Sequence, residues 1–139
     1  MGSPAVDPPP AVEVAAALIQ DAAGRYLIAR RPPGAHLGGL WEFPGGKREP
    51  GESLEACLQR ELREELGADF AVGERVDTVT WRYPDRWVTI HFFRCRPVAG
   101  RLEPRGCAAL AWVEPDRLGD YEFPPADRAL VERLRARGG

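Results

Sequence analysis

The stretch from Gly46 to Ala68 constrains this chain more than any other. It begins as a loop, in which Gly45, Gly46 and Gly51 allow backbone turns that a side chain resists. Ser53 then stands where a helix N-cap belongs. Leu54, Leu58, Leu62 and Leu66 recur every four residues, so a helix here has one apolar stripe. Gly67 sits at the position of a C-terminal helix glycine.

The rest of that helix surface is acidic. Glu61 and Glu65 are four residues apart and Glu61 and Glu64 three apart, so all three carboxylates reach neighbouring surface. Arg60 and Arg63 only partly offset them. A solvated acidic face is the ordinary reading of such a run. The chemical alternative is a hard divalent cation such as Mg²⁺, which takes a few carboxylate oxygens and bridges to substrate phosphates.

The complete spacing favours the second reading. Gly46 and Glu52, then Arg60-Glu61-Leu62, Glu64-Glu65 and Gly67 with a small apolar residue after it, resemble the Nudix box. Ala68 departs mildly, since that place is usually held by a larger aliphatic. The resemblance implies an αβα sandwich with a mixed sheet between helices, and Mg²⁺- or Mn²⁺-dependent cleavage of a nucleoside diphosphate linked to another group. Residue pattern alone reaches only α/β or α+β.

A chain of 139 residues has enough length for one domain with a real core. Residues 1–10, rich in Pro, read as a disordered tail, and residues 11–139 as a single domain. A net charge of −2 gives no reason to expect a nucleic-acid polymer or an anionic membrane as partner. Cys57, Cys95 and Cys107 have neither disulfide-framework nor zinc-site spacing and are expected as buried thiols. No signal peptide or membrane-length apolar run is visible, so a cytoplasmic monomer is expected.

In chain order, residues 12–19 and 25–31 read as strands joined by a turn, hence a hairpin. Pro32-Pro33-Gly34 ends the second strand, and residues 40–43 form a short extended piece. After the box, residues 70–72 and 76–83 read as strand. Residues 87–95 alternate, with Val88, Ile90 and Phe92 on one face and Trp87, Thr89, His91 and Phe93 on the other. Pro97 is expected to end that strand. Residues 107–113 form another, Pro115 to Leu118 a helical turn, and 126–136 a last helix with Ala129, Leu130 and Leu134 inside.

Outside the box, Arg30-Arg31, His36, Trp41 to Lys47, Tyr83-Pro84-Asp85-Arg86, Trp112 and Phe123 to Asp127 resemble the MutT branch, the 8-oxo-dGTP diphosphatases. That likeness implies a nucleoside triphosphate substrate, with Arg31 on a phosphate and His36, Phe43, Arg86 and Asp127 around the nucleoside. MutT members usually have Asn where Asp127 stands, and cytidine-directed relatives often have Asp. An ionised Asp offers two acceptors, which suit the two adjacent donors of guanine; cytosine, with a donor beside an acceptor, is served when Asp is protonated. Asp127 could otherwise be a plain helix N-cap.

The resemblance also implies roles in the box. Glu61, Glu64 and Glu65 form the metal-binding set, joined by the Gly45 carbonyl, and Glu64 or Glu65 takes the proton of the attacking water. Glu52 and Arg60 are expected to pair and orient Glu61. One element is missing: MutT-type enzymes usually have Glu six residues before the tryptophan matched by Trp112, and here that residue is Gly106. Glu103, in the same Pro- and Gly-containing loop, is a candidate to replace it. Three functions therefore stand: 8-oxo-dGTP pyrophosphohydrolase, a relative acting on cytidine triphosphates or nucleotide sugars, and a non-catalytic nucleotide-recognising module.

Overall fold

The computed structural model describes residues 11–35 and 37–138. The expected tail at 1–10 and His36 lie outside the described residues. Seven strands and two α-helices follow in order: β1 Ala11–Ile19, β2 Tyr26–Arg30, β3 Trp41–Glu42, β4 Gly45–Lys47, α1 Leu54–Leu66, β5 Ala68–Tyr83, β6 Arg86–Gly100, β7 Ala109–Val113 and α2 Arg128–Gly138. Short 3-10 turns at Pro115–Asp120 and Pro125–Asp127 precede α2.

The strands form two sheets. One is mixed, in the order β4-β1-β6-β5, with β1 parallel to β6; the other is antiparallel, β3-β2-β7. The expected hairpin between the first two strands is therefore corrected. Both edges of β1 are taken, by β4 and β6, and β2 is taken by β3 and β7; a single bridge, Gln20 to Tyr26, links the turn.

β1 is buried on both sides, as an interior strand of such a sheet must be. Ala15, Ala17 and Ile19 face a core completed by Leu27, Leu58, Leu62, Leu66 and Phe93. Ala16 and Leu18 face a second core with Phe43, Phe92, Phe123, Leu130 and Leu134. The mixed sheet thus lies between α1 and α2, the expected αβα layering. Small alanines on β1 allow both layers to approach closely. In α2 Leu130 and Leu134 face inward as expected, while Ala129 is exposed and Val131 is the third inner residue.

Ser53 caps α1 by accepting from the Ala56 amide, and Gly67 ends it at φ 70°, its amide bonded to the Arg63 carbonyl. β5 is one bulged strand rather than two. β6 runs through Pro97 because β1 has already ended opposite Cys95, leaving β6 an open edge where a missing N–H is tolerated. Leu62, on the apolar face of α1, is fully buried in the first core. Leu62→Ala is expected to lower the unfolding free energy by about 3 kcal/mol, read by equilibrium urea denaturation.

Candidate active site

The loop before α1 is tied to the helix through one arginine. Arg60 Nε donates to Glu52 Oε2 at 2.7 Å and its Nη2 to Oε1 at 2.9 Å, a two-pronged pair. The same guanidinium reaches Glu61 at 2.8 Å and the Lys47 carbonyl at 3.1 Å. That hydrogen bonding holds the Glu52 carboxyl down at about 2. Glu52 and Arg60 thus pair, as the resemblance implied, and the same guanidinium touches Glu61. Gly46 is equally specific: a Cβ there would overlap the Glu61 carboxyl group, so only glycine lets strand and carboxylate meet. At Gly45 a Cβ would sit 2.7 Å from the Ala16 Cα.

Glu61 and Glu65 face a cavity of about 460 Å³. Arg31, Glu42, Gly45 and Gly46 line it near them; Phe43, Tyr83, Arg86, Val88, Ile90, Phe92, Pro124 and Asp127 line the rest. Burial, then Glu42 and Glu61, push the Glu65 carboxyl up to about 9, with the Gly45 amide and Arg31 opposing. Its Oε2 is buried without a hydrogen-bond partner among the described residues. Glu61 and Glu42 are also raised, mainly by burial.

Glu42 was not anticipated from sequence. It lies on the two-residue strand β3, and its carboxylate takes both bonds from Arg31 Nη1, at 3.1 and 3.2 Å. Its charge acts on Glu65 and Asp127 as well. The available signal was a single acid between Trp41 and Phe43, in a segment too apolar for a casual carboxylate. Glu64 is placed differently from its two partners. Its side chain is 60% exposed, 3.4 Å from Arg60, and outside the cavity. Glu103, the candidate substitute for the carboxylate absent at Gly106, is exposed and paired with Arg105 at 2.8 Å. Gly106 itself packs on the helix end: a Cβ there would meet Glu65 Cα and Cγ at 3.6 Å, ordinary contact.

Among the described residues no three acidic groups are already drawn together as a cage. Glu61 is held by Arg60 and Glu64 faces out. The donor chemistry nevertheless fits a divalent cation. Glu42, Glu61 and Glu65 are hard oxygen donors in one partly dehydrated space, and the partnerless Oε2 requires either a proton or a positive charge.

The far end is apolar with one acid. Phe43 stacks on Phe123 at 5.4 Å and meets Phe92 edge-on at 6.0 Å. Its ring is therefore core as well as cavity wall. Asp127 is 5% exposed, and burial, with Glu42 adding, pushes its carboxyl up to about 7. Arg31, Phe43, Arg86 and Asp127 are brought to this one cavity; His36 lies outside the described residues.

This sandwich and its glycine-flanked acidic helix, facing one cavity that is polar at one end and apolar at the other, fit a hydrolase of phosphoric anhydrides. The chain belongs to the Nudix family: the NUDIX domain matches residues 15–133. It is 40% identical over 125 residues to the CTP pyrophosphohydrolase of Escherichia coli K12, covering 90% of this chain and 92% of that one. With the 8-oxo-dGTP diphosphatase of Proteus vulgaris it shares 46% identity over 82 residues, 59% of this chain and 73% of the other. The crystal structure of the MutT protein of Methanosarcina mazei Go1 superposes with a TM-score of 0.81 at 27% identity, covering 92% and 95%. Enzymes of this family generally need a divalent metal. No helix among the described residues is long and apolar enough to cross a membrane.

The Glu65 carboxyl has a consequence for metal-free protein. Its folded value, about 9, lies above the ordinary 4.5, so the folded state holds a proton that the unfolded chain releases. Stability from this group is complete below about pH 4.5 and lost as pH rises toward 9. Glu65→Gln is expected to raise Tm in a chelator by several degrees at pH 8, with the gain shrinking toward pH 5. Thermal unfolding at the two pH values checks it.

Proposed function

We propose that this chain is a nucleoside triphosphate pyrophosphohydrolase that removes 8-oxo-dGTP by releasing the nucleoside monophosphate and pyrophosphate, with Mg²⁺ as its ion and Mn²⁺ as a substitute. One observation carries the reading: a single cavity joins buried carboxylates and Arg31 at one end to an aromatic slot ending in Asp127 at the other. A phosphate chain and a base need those two environments side by side. Retention of all box carboxylates supports an enzyme over a non-catalytic module.

In this reading Glu61, Glu64 and Glu65, with the Gly45 carbonyl, would hold the ion. The ion when bound neutralises phosphate charge and makes a water more acidic. Arg60 and Glu52 keep Glu61 aimed at the phosphates. Glu65, raised and dehydrated, takes the water's proton once its negative neighbours are offset. Arg31 exchanges part of its contact with Glu42 for a phosphate oxygen. Phe43 borders the base, Arg86 lies beside the nucleoside, and Asp127 meets the base edge. Glu61→Gln and Glu65→Gln are each expected to lower kcat by about two orders of magnitude or more, measured as pyrophosphate release.

A second substrate, a cytidine triphosphate, is favoured by a specific observation. Asp127 is held up to about 7, so both its forms are populated near neutrality. The neutral acid donates to cytosine N3 and accepts from its amino group; the carboxylate cannot do both. Guanine suits either form, through O6 and N1–H or through N1–H and the amino group. The named activity of the Escherichia coli relative agrees with the cytidine alternative. The ratio of kcat/KM for CTP over that for 8-oxo-dGTP is therefore expected to fall as pH rises from about 6 to about 8, and Asp127→Asn to flatten that dependence. A flat wild-type ratio rules out titration of Asp127 as the base selector.

A further inference from the structure

Arg31 and Glu42 form an ion pair inside the cavity, and strand register makes it. β2 and β3 are antiparallel with Ala29 opposite Glu42, and pairing continues one step further, where the Arg31 amide donates to the Leu40 carbonyl at 2.9 Å. Alternate residues of a strand share a face, so Arg31 and Glu42 are diagonal neighbours on one side. Both flanks of Glu42 are fixed. The Trp41 amide donates to the Glu122 carbonyl at 2.8 Å, and Phe43 is buried in the second core.

Arg31 Nη1 donates to both Glu42 oxygens, and the two side chains are only 30% and 23% exposed. A pair so enclosed contributes little net stability, because taking both charges from water costs about what their attraction returns. Its effect on the cavity is electrostatic. Glu61 and Glu65 line the same end, and Arg31, which faces them there, has its charge matched by Glu42. Lys47 also lines the cavity but is exposed, where solvent screens it. A phosphate entering alone meets carboxylates and an arginine already neutralised. A phosphate entering with a divalent cation brings the charge this end lacks.

We propose that Glu42 is a specificity-determining positioning residue: by holding Arg31 and matching its charge, it makes phosphate binding depend on the divalent cation, so the cavity takes a cation-bound triphosphate in preference to the bare nucleotide. The inference rests on the reading that the substrate's phosphates lie at this polar end, with Arg31 on one of them. Glu42 acts here through Arg31, not as a ligand of the ion.

Calorimetry tests this on intact protein with the α,β-methylene analogues of CTP and dGTP, which resist cleavage at that bond, in a chelator and then with Mg²⁺. Wild type is expected to bind far better with Mg²⁺. Glu42→Gln keeps the side-chain size and removes the charge. It is expected to bind the analogues about tenfold tighter in the chelator, the scale of one nearby charge in a partly exposed site. Its affinity with Mg²⁺ is expected to stay within about twofold of wild type, so the gain on adding the ion shrinks by nearly the same factor. Unchanged affinity in the chelator would overturn the proposal. Equal tightening with and without Mg²⁺ would overturn it too, by reducing Glu42 to general repulsion, and so would wild-type binding indifferent to the ion. Arg31→Gln tests the reading beneath: unchanged affinity in both conditions places the phosphates elsewhere, and the proposal fails with that reading. Should that variant not fold, Arg31→Gln combined with Glu42→Gln, which removes both charges together, is compared with Glu42→Gln instead.

Discussion

Carboxylates that crowd one partly dehydrated cavity repel each other, and most of this site is a response to that repulsion. Glu42, Glu61 and Glu65 all act on one another there. Two arginines offset them from different directions. Arg60 binds Glu52 and Glu61 together and anchors the preceding loop, whereas Arg31 sits on Glu42. Arg31 offsets the charge on Glu65 only in part, and that carboxyl is pushed up to about 9. A site like this sacrifices stability of the metal-free fold for affinity toward a hard cation and the phosphates it bridges.

The sheet makes that arrangement possible. β1 presents alternate residues to two cores, and β4 pairs along its edge with Gly45 held against the Ala15–Ala16 backbone. Gly46 lies against the Glu61 carboxyl itself. The acids therefore project from a helix end pinned on the fully buried Leu58, Leu62 and Leu66. On the other side of the sheet, Val88, Ile90 and Phe92 form the apolar end of the cavity, as their alternation on β6 requires. One strand face thus serves as both core and cavity wall.

Much of this was legible in the chain. The box helix, its caps, the alternation of β6 and the turn before α2 depend on residues close in sequence, and local periodicity and capping report such elements well. Pairing partners were less legible. β1 and β2 are joined by a short turn yet belong to different sheets, because parallel pairing with β6 satisfies β1 from a distance of many residues. Pro97 continues a strand because its neighbour has ended, a fact about β1 and not about Pro97. In α2 Ala129 faces solvent and Val131 the core, because Leu130 and Leu134 alone do not say to which side of them the buried face extends.

By itself the sequence determined the chemistry: a glycine-loop and helix bearing Glu52, Arg60, Glu61, Glu64 and Glu65 at spacings that only a loop–helix cation site uses so fully. Tertiary structure decided which acids share one space. It brought Glu42 in from a two-residue strand, turned Glu64 outward and left Glu103 with Arg105. It also set the state of Asp127, since burial rather than residue type pushes that carboxyl up to about 7. Spacing fixes which groups lie on one helix face, but dehydration and charge coupling depend on what the rest of the chain packs around them.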